Sequence, residues 1–384
     1  MASESVLLDA TIRCPEAMLL DRELRARVIG QDEAIGHIVD QYQTHLAGLS
    51  EWPRPISSML LLGPTGCGKT RLVEAVAESL VGTRQALIKV DCGEFQHSHE
   101  IAKLIGSPPG YLGHRETHAR LSQERLNEFH TESVRVSFVL FDEIEKASDA
   151  LWNLLLGILD KATLTLGDNR QVDFSRAMVF LTGNLGSSEM QRLLDAPLGF
   201  AGKDPTDRTG SGAPSLRMRR KMEKAALESA RRKFSPEFLN RLDRVVLCHA
   251  LDEDAMPVIL DLELQEILGR VQRQRGLRLR VSLDAEARAF LSKEGYDERS
   301  GARHLKRTLN RSFVHPLSIF LSTGQLQDGD ELEISFDGES RGLRFHGRRH
   351  AVSSRALREL AASWQPAQSA PPSGRQWRAM ATRP

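Results

Sequence analysis

The sequence predicts an α/β fold, in which helices cover a mostly parallel sheet and a smaller domain of helices and short strands follows. Three observations predict this fold. Between residues 58 and 248, short apolar runs are continuous rather than alternating, which is typical of strands buried on both faces. Helical stretches precede and separate these runs, as in doubly wound proteins. After residue 249 the pattern changes to helices with short alternating runs, which indicates a second domain.

The predicted strands of the first domain have four to six residues each and are rich in Val, Leu, Ile or Phe. The five strands are Met59–Leu62, Leu87–Asp91, Val136–Phe141, Ala177–Leu181 and Val245–Cys248. The helices predicted around them are Gln31–Leu46, Thr70–Val81, Glu116–His130, Ser148–Ala162 and Leu216–Phe234. Their alternation along the chain is the α/β pattern.

Composition divides the remainder of the chain. Residues 202–215 are dominated by Gly, Pro, Ser, Thr and Asp and predict a flexible surface loop. The second domain is predicted from helices at Asp254–Arg273 and Asp284–Glu294 and from strands at Leu277–Leu283 and Glu331–Phe336. We therefore expect a leader segment over 1–25, a large domain over 26–249, a small C-terminal domain over 250–338 and a basic, poorly ordered tail over 339–384.

Charge and composition exclude several classes of protein. The 384 residues include 52 Lys plus Arg and 51 Asp plus Glu, so the net charge is +1 and a strongly basic nucleic-acid binder is not expected. The tail holds nine Arg and two Glu, which leaves a net charge of −6 on residues 1–338. Neither a membrane span nor a signal peptide is predicted, and the four scattered cysteines favour a reduced, cytoplasmic protein without a metal site formed by cysteines.

A glycine-rich loop follows the first predicted strand and opens the helix after it, which is the context that a phosphate-binding loop requires. Its residues are Gly63, Pro64, Thr65, Gly66, Cys67, Gly68, Lys69 and Thr70. Glycines allow successive backbone N–H groups to face one concavity, and the helix N-terminus adds a favourable dipole. We expect Lys69 to reach the β- and γ-phosphates of a nucleotide and Thr70 to hold Mg²⁺.

Polar residues end two later strands, at the carboxyl edge where parallel sheets bind ligands. Asp142 and Glu143 follow the strand that ends at Phe141, and Asn184 closely follows the next strand. Asp142 suits the Mg²⁺ shell, and Glu143 is placed to polarise a water for attack on the γ-phosphate. Asn184 is a candidate to orient that water, although an asparagine after a strand more commonly marks a turn.

Seven motifs in the same order resemble those of the Clp group of AAA+ ATPases, in particular the second ATPase module of ClpA, ClpB and ClpC. They are Arg27–Ala34, the phosphate loop, Leu104–Gly113, Phe141–Ala147, Leu181–Ser187, Phe234–Asp243 and Gly301–Arg303, and they extend over about residues 20–338. The resemblance implies an AAA+ P-loop fold with a small C-terminal lid domain, and ATP hydrolysis that depends on Mg²⁺. Gly183 and Cys67 depart from the Ser and Val usual in that family.

The resemblance also implies roles for residues outside the two nucleotide motifs. Val28 and Ile29 would flank the adenine, and Asn184 would be the first sensor of the γ-phosphate. Arg241 would be an arginine finger for the neighbouring subunit, and Arg303 would be the second sensor in its own subunit. A finger supplied in trans implies a ring of identical subunits, usually a hexamer in this family.

Three further segments are candidates for substrate or partner elements of the family. Gly110, Tyr111, Leu112 and Gly113 resemble the pore loop, in which an aromatic ring grips an extended polypeptide. A weaker candidate for a second pore-facing loop is Leu164–Val172. Leu198, Gly199 and Phe200 resemble the tripeptide that docks the ClpP peptidase, and they are equally compatible with an apolar anchor of the loop.

The motifs therefore favour a ring-forming ATPase that unfolds or remodels protein substrates, with a ClpP-type peptidase as a possible partner. Only about 25 residues precede Arg27, so we expect one module without an adaptor-binding domain. A dedicated remodeller of one complex is an open alternative. A motor that acts on nucleic acid is a further alternative from a different class, but the Gly-Tyr-Leu-Gly loop lacks the Lys and Arg that a DNA-translocating pore favours.

Overall fold

A computed structural model describes residues 8–106, 119–187, 189, 216–297, 301–338 and 342–349. Its strands are β1 (Ser57–Leu62), β2 (Leu87–Asp91), β3 (Ser137–Asp142), β4 (Thr163–Thr165), β5 (Gln171–Asp173), β6 (Ala177–Gly183), β7 (Arg244–Leu247), β8 (Arg280–Leu283), β9 (Glu331–Asp337) and β10 (Gly342–Arg348). The α-helices are α1 (Pro15–Arg27), α2 (Asp32–Leu46), α3 (Lys69–Val81), α4 (Ala102–Ile105), α5 (Gln123–Asn127), α6 (Asp149–Lys161), α7 (Leu216–Lys233), α8 (Pro236–Asn240), α9 (Met256–Arg275), α10 (Ala285–Glu294), α11 (Ala302–Leu309) and α12 (His315–Ser322).

The central sheet contains the five strands that the sequence predicts, and every pairing in it is parallel. The strand order is β2-β3-β6-β1-β7. All residues of β1 and β6 are buried, which explains why these segments read as unbroken apolar runs. The pairing of Leu62 with Gly183 brings the ends of β1 and β6 together, so the loops that follow both strands start from one edge.

Alternate residues of each strand enter separate cores on the two faces of the sheet. One core contains Leu60 of β1, Phe141 of β3 and the buried side chains of α6 and α7. The other contains Met59 of β1, Phe138 of β3 and the buried side chains of α1, α2 and α3. Helices therefore cover both faces, and the predicted α/β architecture is confirmed.

The segment predicted as a leader contains helix α1, which the sequence analysis did not identify. Pro15 occupies the first turn, where its missing N–H costs nothing, and Glu16 lies near the positive end of the helix dipole. Ala17, Leu20 and Leu24 form the buried stripe, and each is at most 2% exposed. These three side chains of the predicted leader are therefore part of the core.

Two further segments differ from their predictions. A continuous helix over Glu116–His130 is wrong, because within residues 119–130 the α-helix covers only Gln123–Asn127. Ser122 has extended backbone angles and its hydroxyl accepts a hydrogen bond from the N–H of Arg125, so it starts a new short helix. Leu164–Val172 includes most of the antiparallel hairpin of β4 and β5.

The described chain divides into two compact units, the first within residues 8–267 and 285–316 and the second within 268–284 and 317–349. The second unit contains a three-stranded sheet of order β10-β9-β8, in which β8 and β9 are parallel and β9 and β10 antiparallel. Strand β10 lies beyond residue 338, so the ordered chain extends into the predicted tail. None of the helices in the described ranges is both long and apolar enough to cross a membrane. The cytoplasmic location stays a prediction.

Candidate nucleotide site

A cavity of about 340 Å³ in the first unit lies at the carboxyl edge of the central sheet. Twelve of the residues predicted for the site line it: Val28, Ile29, Thr65, Gly66, Cys67, Gly68, Lys69, Thr70, Asp142, Glu143, Asn184 and Arg303. Gly63 and Pro64 do not line the cavity, but their carbonyl groups contact the side chain of Lys69.

The phosphate loop is held in place by the chain on either side of it. The N–H of Gly63 donates to the Gly183 carbonyl, and the N–H of Cys248 donates to the Leu62 carbonyl. A Cβ on Gly63 would lie 2.3 Å from the Cys248 carbonyl oxygen, so only glycine fits there. Gly68, in the left-handed region at φ +99°, turns the chain into α3.

Lys69 is 8% exposed, and its ammonium group contacts the loop itself. Nζ donates to the carbonyl oxygens of Gly63 at 2.7 Å and Pro64 at 2.9 Å, and to Oδ1 of Asn184 at 3.0 Å. These hydrogen bonds compensate for the burial of the ammonium charge. Lys69 and Asn184 both line the cavity.

Asp142 ends β3 and lies between two donors. Its Oδ2 is 2.7 Å from Nζ of Lys89, and its Oδ1 accepts a hydrogen bond from the Thr182 hydroxyl. Burial acts to raise the pKa of Asp142, but the hydrogen bonds from Lys89 and Thr182, with the charge of Lys69, lower it overall. The side chain is therefore a carboxylate at neutral pH, as a cation ligand requires.

Glu143 adopts the left-handed conformation with φ +58°, which is unusual for a residue with a side chain. Its backbone N–H donates to the Thr182 hydroxyl at 3.1 Å, which holds this turn against β6. The carboxylate accepts from Nδ2 of Asn184 at 3.3 Å and pairs with Nζ of Lys146 at 2.5 Å. Glu143 and Asn184, which the sequence analysis placed after two separate strands, thus contact each other at the cavity.

The apolar end of the cavity combines the segment before α2 with residues that the sequence analysis did not select. Val28 is 5% exposed, and Val28 and Ile29 line the cavity together with Leu251 and Ile259. Gln31 fastens this end to the phosphate loop, because its Nε2 donates to the carbonyls of Cys67 and His249, both at 2.9 Å. Nothing in the local pattern around Leu251 or Ile259 marks them as site residues.

Arg303 reaches the cavity because its helix starts on the phosphate loop. The N–H of Ala302 donates to the Gly66 carbonyl at 3.2 Å. Gly301, at φ +51° and ψ −138°, makes the turn before it, and a Cβ there would lie 2.7 Å from the Gly66 oxygen. The Gly-Ala-Arg motif therefore has a backbone function in addition to supplying the arginine.

Several charged residues of the cavity were also missed by sequence reasoning. They are Arg27, Arg71, Glu74, Lys89, Glu263, Glu266 and Lys306. Glu263 pairs with Lys306 at 3.1 Å and Glu266 pairs with Arg84 at 2.8 Å. The two glutamates are three residues apart on α9, a spacing that places them on one helix face and was the available signal.

Cys67 and Cys248 meet beneath the phosphate loop. The hydrogen bond from Cys248 and the positive charge of Lys69 lower the pKa of Cys67 to about 7, although burial opposes this shift. The same hydrogen bond and complete burial raise the pKa of Cys248. The departure from the usual Val at position 67 thus places a buried thiol with a lowered pKa in the phosphate loop.

Other predicted residues lie elsewhere. Arg241 is not on the cavity lining, is about 40% exposed, and pairs with Asp160. The pore-loop candidates Gly110, Tyr111, Leu112 and Gly113 lie outside the described residues. The same holds for the docking tripeptide of Leu198, Gly199 and Phe200.

Two sequence families match consecutive parts of the chain. The AAA domain (Cdc48 subfamily) matches residues 54–245, which contain the phosphate loop and the central sheet except for the end of β7. The C-terminal, D2-small domain of ClpB protein matches residues 251–334, which carry Arg303.

Individual relatives agree with these matches. The chain is 38% identical over 334 residues to the chaperone protein ClpB of Meiothermus ruber, covering 87% of this chain and 36% of the relative. It is 35% identical to the ClpC ATP-binding subunit of the Clp protease of Staphylococcus saprophyticus, covering 83% of this chain and 36% of the relative. The chain thus spans about a third of the length of these curated relatives.

Solved structures show the same likeness. A closed state of Hsp104 with ATPγS and FITC casein matches with a TM-score of 0.69 and 26% identity, covering 86% of this chain and 52% of that chain. The S. cerevisiae Hsp104:casein complex in an extended conformation gives 0.70 and 27%, covering 87% and 53%. With a matching AAA domain, a matching ClpB small domain and a phosphate loop set in an AAA fold, the chain belongs to the AAA+ family as a Clp-type module.

Proposed function

We propose that the cavity binds ATP and hydrolyses it, and that the energy drives the unfolding or remodelling of protein substrates by a ring of these subunits. The observation that carries the hydrolysis proposal is a chain of contacts at one edge of the sheet. Lys69 contacts Asn184, and Asn184 contacts Glu143. A phosphate-binding ammonium, a polar sensor and a candidate base are thus connected within one cavity.

The nucleotide is placed by the two ends of the cavity. The glycine loop and Lys69 offer the positive, N–H-rich surface that phosphates prefer. Val28, Ile29 and Leu251 offer the apolar surface that suits the purine base. Arg303 adds a guanidinium for the phosphate oxygens, on which negative charge develops during the transfer.

Mg²⁺ fits the side chains at the junction of the loop and β3. Thr70 supplies a hydroxyl and Asp142 an ionised carboxylate, and both line the cavity. Hard oxygen ligands of this kind suit Mg²⁺, which usually takes one or two protein ligands along with phosphate oxygens and water. When bound, the ion supplies positive charge that neutralises the phosphate oxygens.

Glu143 is proposed as the base that accepts a proton from the attacking water. Its carboxylate is fixed from two sides, by Asn184 and by Lys146, so it cannot rotate freely away from the cavity. Asn184 contacts both Glu143 and Lys69, which suits a residue that senses the γ-phosphate and orients the water. Hydrolysis follows from positioning and charge, as is usual for phosphoryl transfer.

Arg241 is proposed to complete the site of a neighbouring subunit. Its position outside its own cavity and its exposed side chain support action in trans. A planar guanidinium stabilises charge on the γ-phosphate, so hydrolysis would depend on assembly. We propose a homo-oligomeric ring, with six subunits as in the family that the motifs resemble.

Protein substrates are proposed from the relatives and from the Gly110–Gly113 motif. The two Hsp104 structures described above are complexes with casein, which is a protein. Tyr111 would grip an extended chain in the central channel, since an aromatic ring packs against any sequence. The ClpC relative belongs to a protease, and Leu198, Gly199 and Phe200 are proposed to dock a ClpP-type peptidase.

The decisive experiment replaces Glu143 by Gln. We expect Glu143→Gln to bind ATP as tightly as the wild type and to lose at least 100-fold in ATP turnover, because general-base catalysis typically contributes about 10²–10⁴-fold. Lys69→Ala is the matched control, in which ATP binding itself is lost. Full turnover by Glu143→Gln would show that another group activates the water.

A second experiment separates the motor from the ATPase. Tyr111→Ala is expected to keep basal ATP turnover but to stop unfolding of a fluorescent protein that carries an unstructured tag. Tyr111→Phe, which keeps the ring, is expected to unfold the same substrate. Normal unfolding by Tyr111→Ala would reject the pore role and leave the hydrolysis proposal intact.

A further inference from the structure

The side chain of Arg241 is held by a carboxylate from a different part of the chain. Arg241 follows helix α8 directly, and its Nη1 contacts Oδ1 of Asp160 in the last turn of α6. No hydrogen bond seen within the described residues uses Nε or Nη2 of Arg241. Asp160 therefore fixes one end of the guanidinium and leaves the other end available.

The backbone on both sides of this ion pair is tied together by Arg54. Its Nη2 donates to the Arg241 carbonyl at 2.5 Å, and its Nε donates to the Leu159 carbonyl at 3.3 Å. Arg54 also pairs with Asp243 at 3.2 Å, and Asp243 accepts from the backbone and hydroxyl of Ser58 at 2.7 and 2.9 Å. The end of α6 and the segment of Arg241 are thus fastened to each other and to β1.

We propose that Asp160 is a positioning residue, which presets the guanidinium of Arg241 for the nucleotide site of the adjacent subunit. This inference rests on the proposed action of Arg241 in trans. A free arginine side chain samples many rotamers, and each must be given up when the guanidinium meets a phosphate. With Asp160 at Nη1, part of that freedom is already lost before the subunits meet, and Nε and Nη2 have no hydrogen bond among the described residues.

The effect is expected in catalysis rather than in stability. Both partners are exposed by a third or more, Arg241 by 40% and Asp160 by 33%, and exposed ion pairs add little to folding. A misplacement of about 1 Å of a catalytic group, in contrast, lowers a rate about 100-fold.

The test compares Asp160→Asn and Asp160→Ala with wild-type protein. We expect kcat for ATP to fall about 10- to 100-fold, with less loss in Asp160→Asn because the amide oxygen still accepts a hydrogen bond. The KM for ATP and the melting temperature are expected to stay unchanged. The matched control is Asp261→Asn, which breaks an ion pair of similar exposure with Arg288 and is expected to keep the wild-type kcat.

ATP turnover by mixed assemblies distinguishes a positioning role of Asp160 from a purely structural one. Asp160→Asn subunits keep their own Glu143, and Glu143→Gln subunits keep a well-placed Arg241. Rings assembled from both are therefore expected to hydrolyse ATP faster than the mean of the two parent proteins. Mixtures that show no such gain, although both proteins assemble, would overturn the proposal.

The failure of this inference differs from the failure of the proposed function. Full turnover by Asp160→Asn and Asp160→Ala, together with lost turnover by Arg241→Ala, refutes the positioning role alone. Full turnover by Arg241→Ala refutes action in trans and the positioning role with it. Should Asp160→Ala prove poorly folded, Asp160→Asn, with nearly the same shape, decides the question through the same two assays.

Discussion

Replacing Gly301 by Ala tests how Arg303 is brought to the nucleotide cavity. The added Cβ would lie 2.7 Å from the Gly66 carbonyl oxygen and 3.0 Å from its carbon, so α11 must move away from the phosphate loop. The movement breaks the hydrogen bond from the Ala302 N–H to Gly66. It also withdraws Arg303 from the cavity that it lines.

The magnitude follows from two costs. Losing the hydrogen bond between Ala302 and Gly66 costs about 1 kcal/mol net. An alanine at φ +51° and ψ −138° adds about 1–3 kcal/mol of backbone strain. Since about 1.4 kcal/mol is tenfold in affinity, a total of about 2–4 kcal/mol predicts ATP binding about 30- to 700-fold weaker.

The assay is calorimetric titration with a slowly hydrolysed ATP analogue, combined with thermal unfolding. Gly276→Ala is the control, because Gly276 also has a positive φ of +70° but nothing within 4 Å of its added Cβ. This control is expected to bind the analogue as the wild type does. Nucleotide affinity within twofold of wild type in Gly301→Ala would refute the proposed link between the Gly66 contact and the placement of Arg303.

Three further predictions concern the core, the thiol of Cys67 and the loss of stability at acid pH. Leu24→Ala should lower the free energy of unfolding by about 2–5 kcal/mol because Leu24 is fully buried. Leu19→Ala on the same helix should change it little, because Leu19 is exposed. Equal effects of the two substitutions in a denaturant titration would contradict the packing of α1 against the core. Because the hydrogen bond from Cys248 and the charge of Lys69 lower the pKa of Cys67, its alkylation by iodoacetamide, followed by mass spectrometry, should have a pH midpoint below 9 and be slowed by ATP. A midpoint at or above 9 would exclude this cause. Because the pKa of Asp142 is lowered from 3.8, its contribution to stability is present above that pH and lost below it. Lys89→Met should therefore weaken the loss of stability at acid pH, measured by unfolding at a series of pH values. An unchanged pH profile would rule out the ion pair with Lys89 as the cause.

The central sheet could be predicted from the sequence because the pattern that indicates a buried strand is local. Strands buried on both faces must be apolar throughout, so β1 and β6 were visible as unbroken runs without any knowledge of their neighbours. Helix α1 was missed because its buried stripe is short and its segment is rich in charge. A helix over Glu116–His130 was predicted wrongly, because Ser122 caps the N-terminus of a short helix within that segment.

The fold class and the chemical core of the site could be predicted from local sequence patterns. Lys69, Thr70, Asp142 and Glu143 stand in contiguous motifs next to strands, and the topology of a parallel sheet takes strand ends to one edge. Asn184 was found in the same way, because it closely follows the next strand. Arg303 entered only through the order of the family motifs, because its distance along the chain from the loop carries no geometric information of its own.

The distant residues that contact these groups could not be predicted, because packing brings them together. The contacts of Lys89 with Asp142 and of Asp160 with Arg241 join segments whose separation along the chain leaves no periodic signal. The thiol pair of Cys67 and Cys248 arises in the same way, since β7 pairs beside β1. The local sequence pattern predicts the secondary structure of a segment. The charges around a side chain depend on the elements that packing brings next to it.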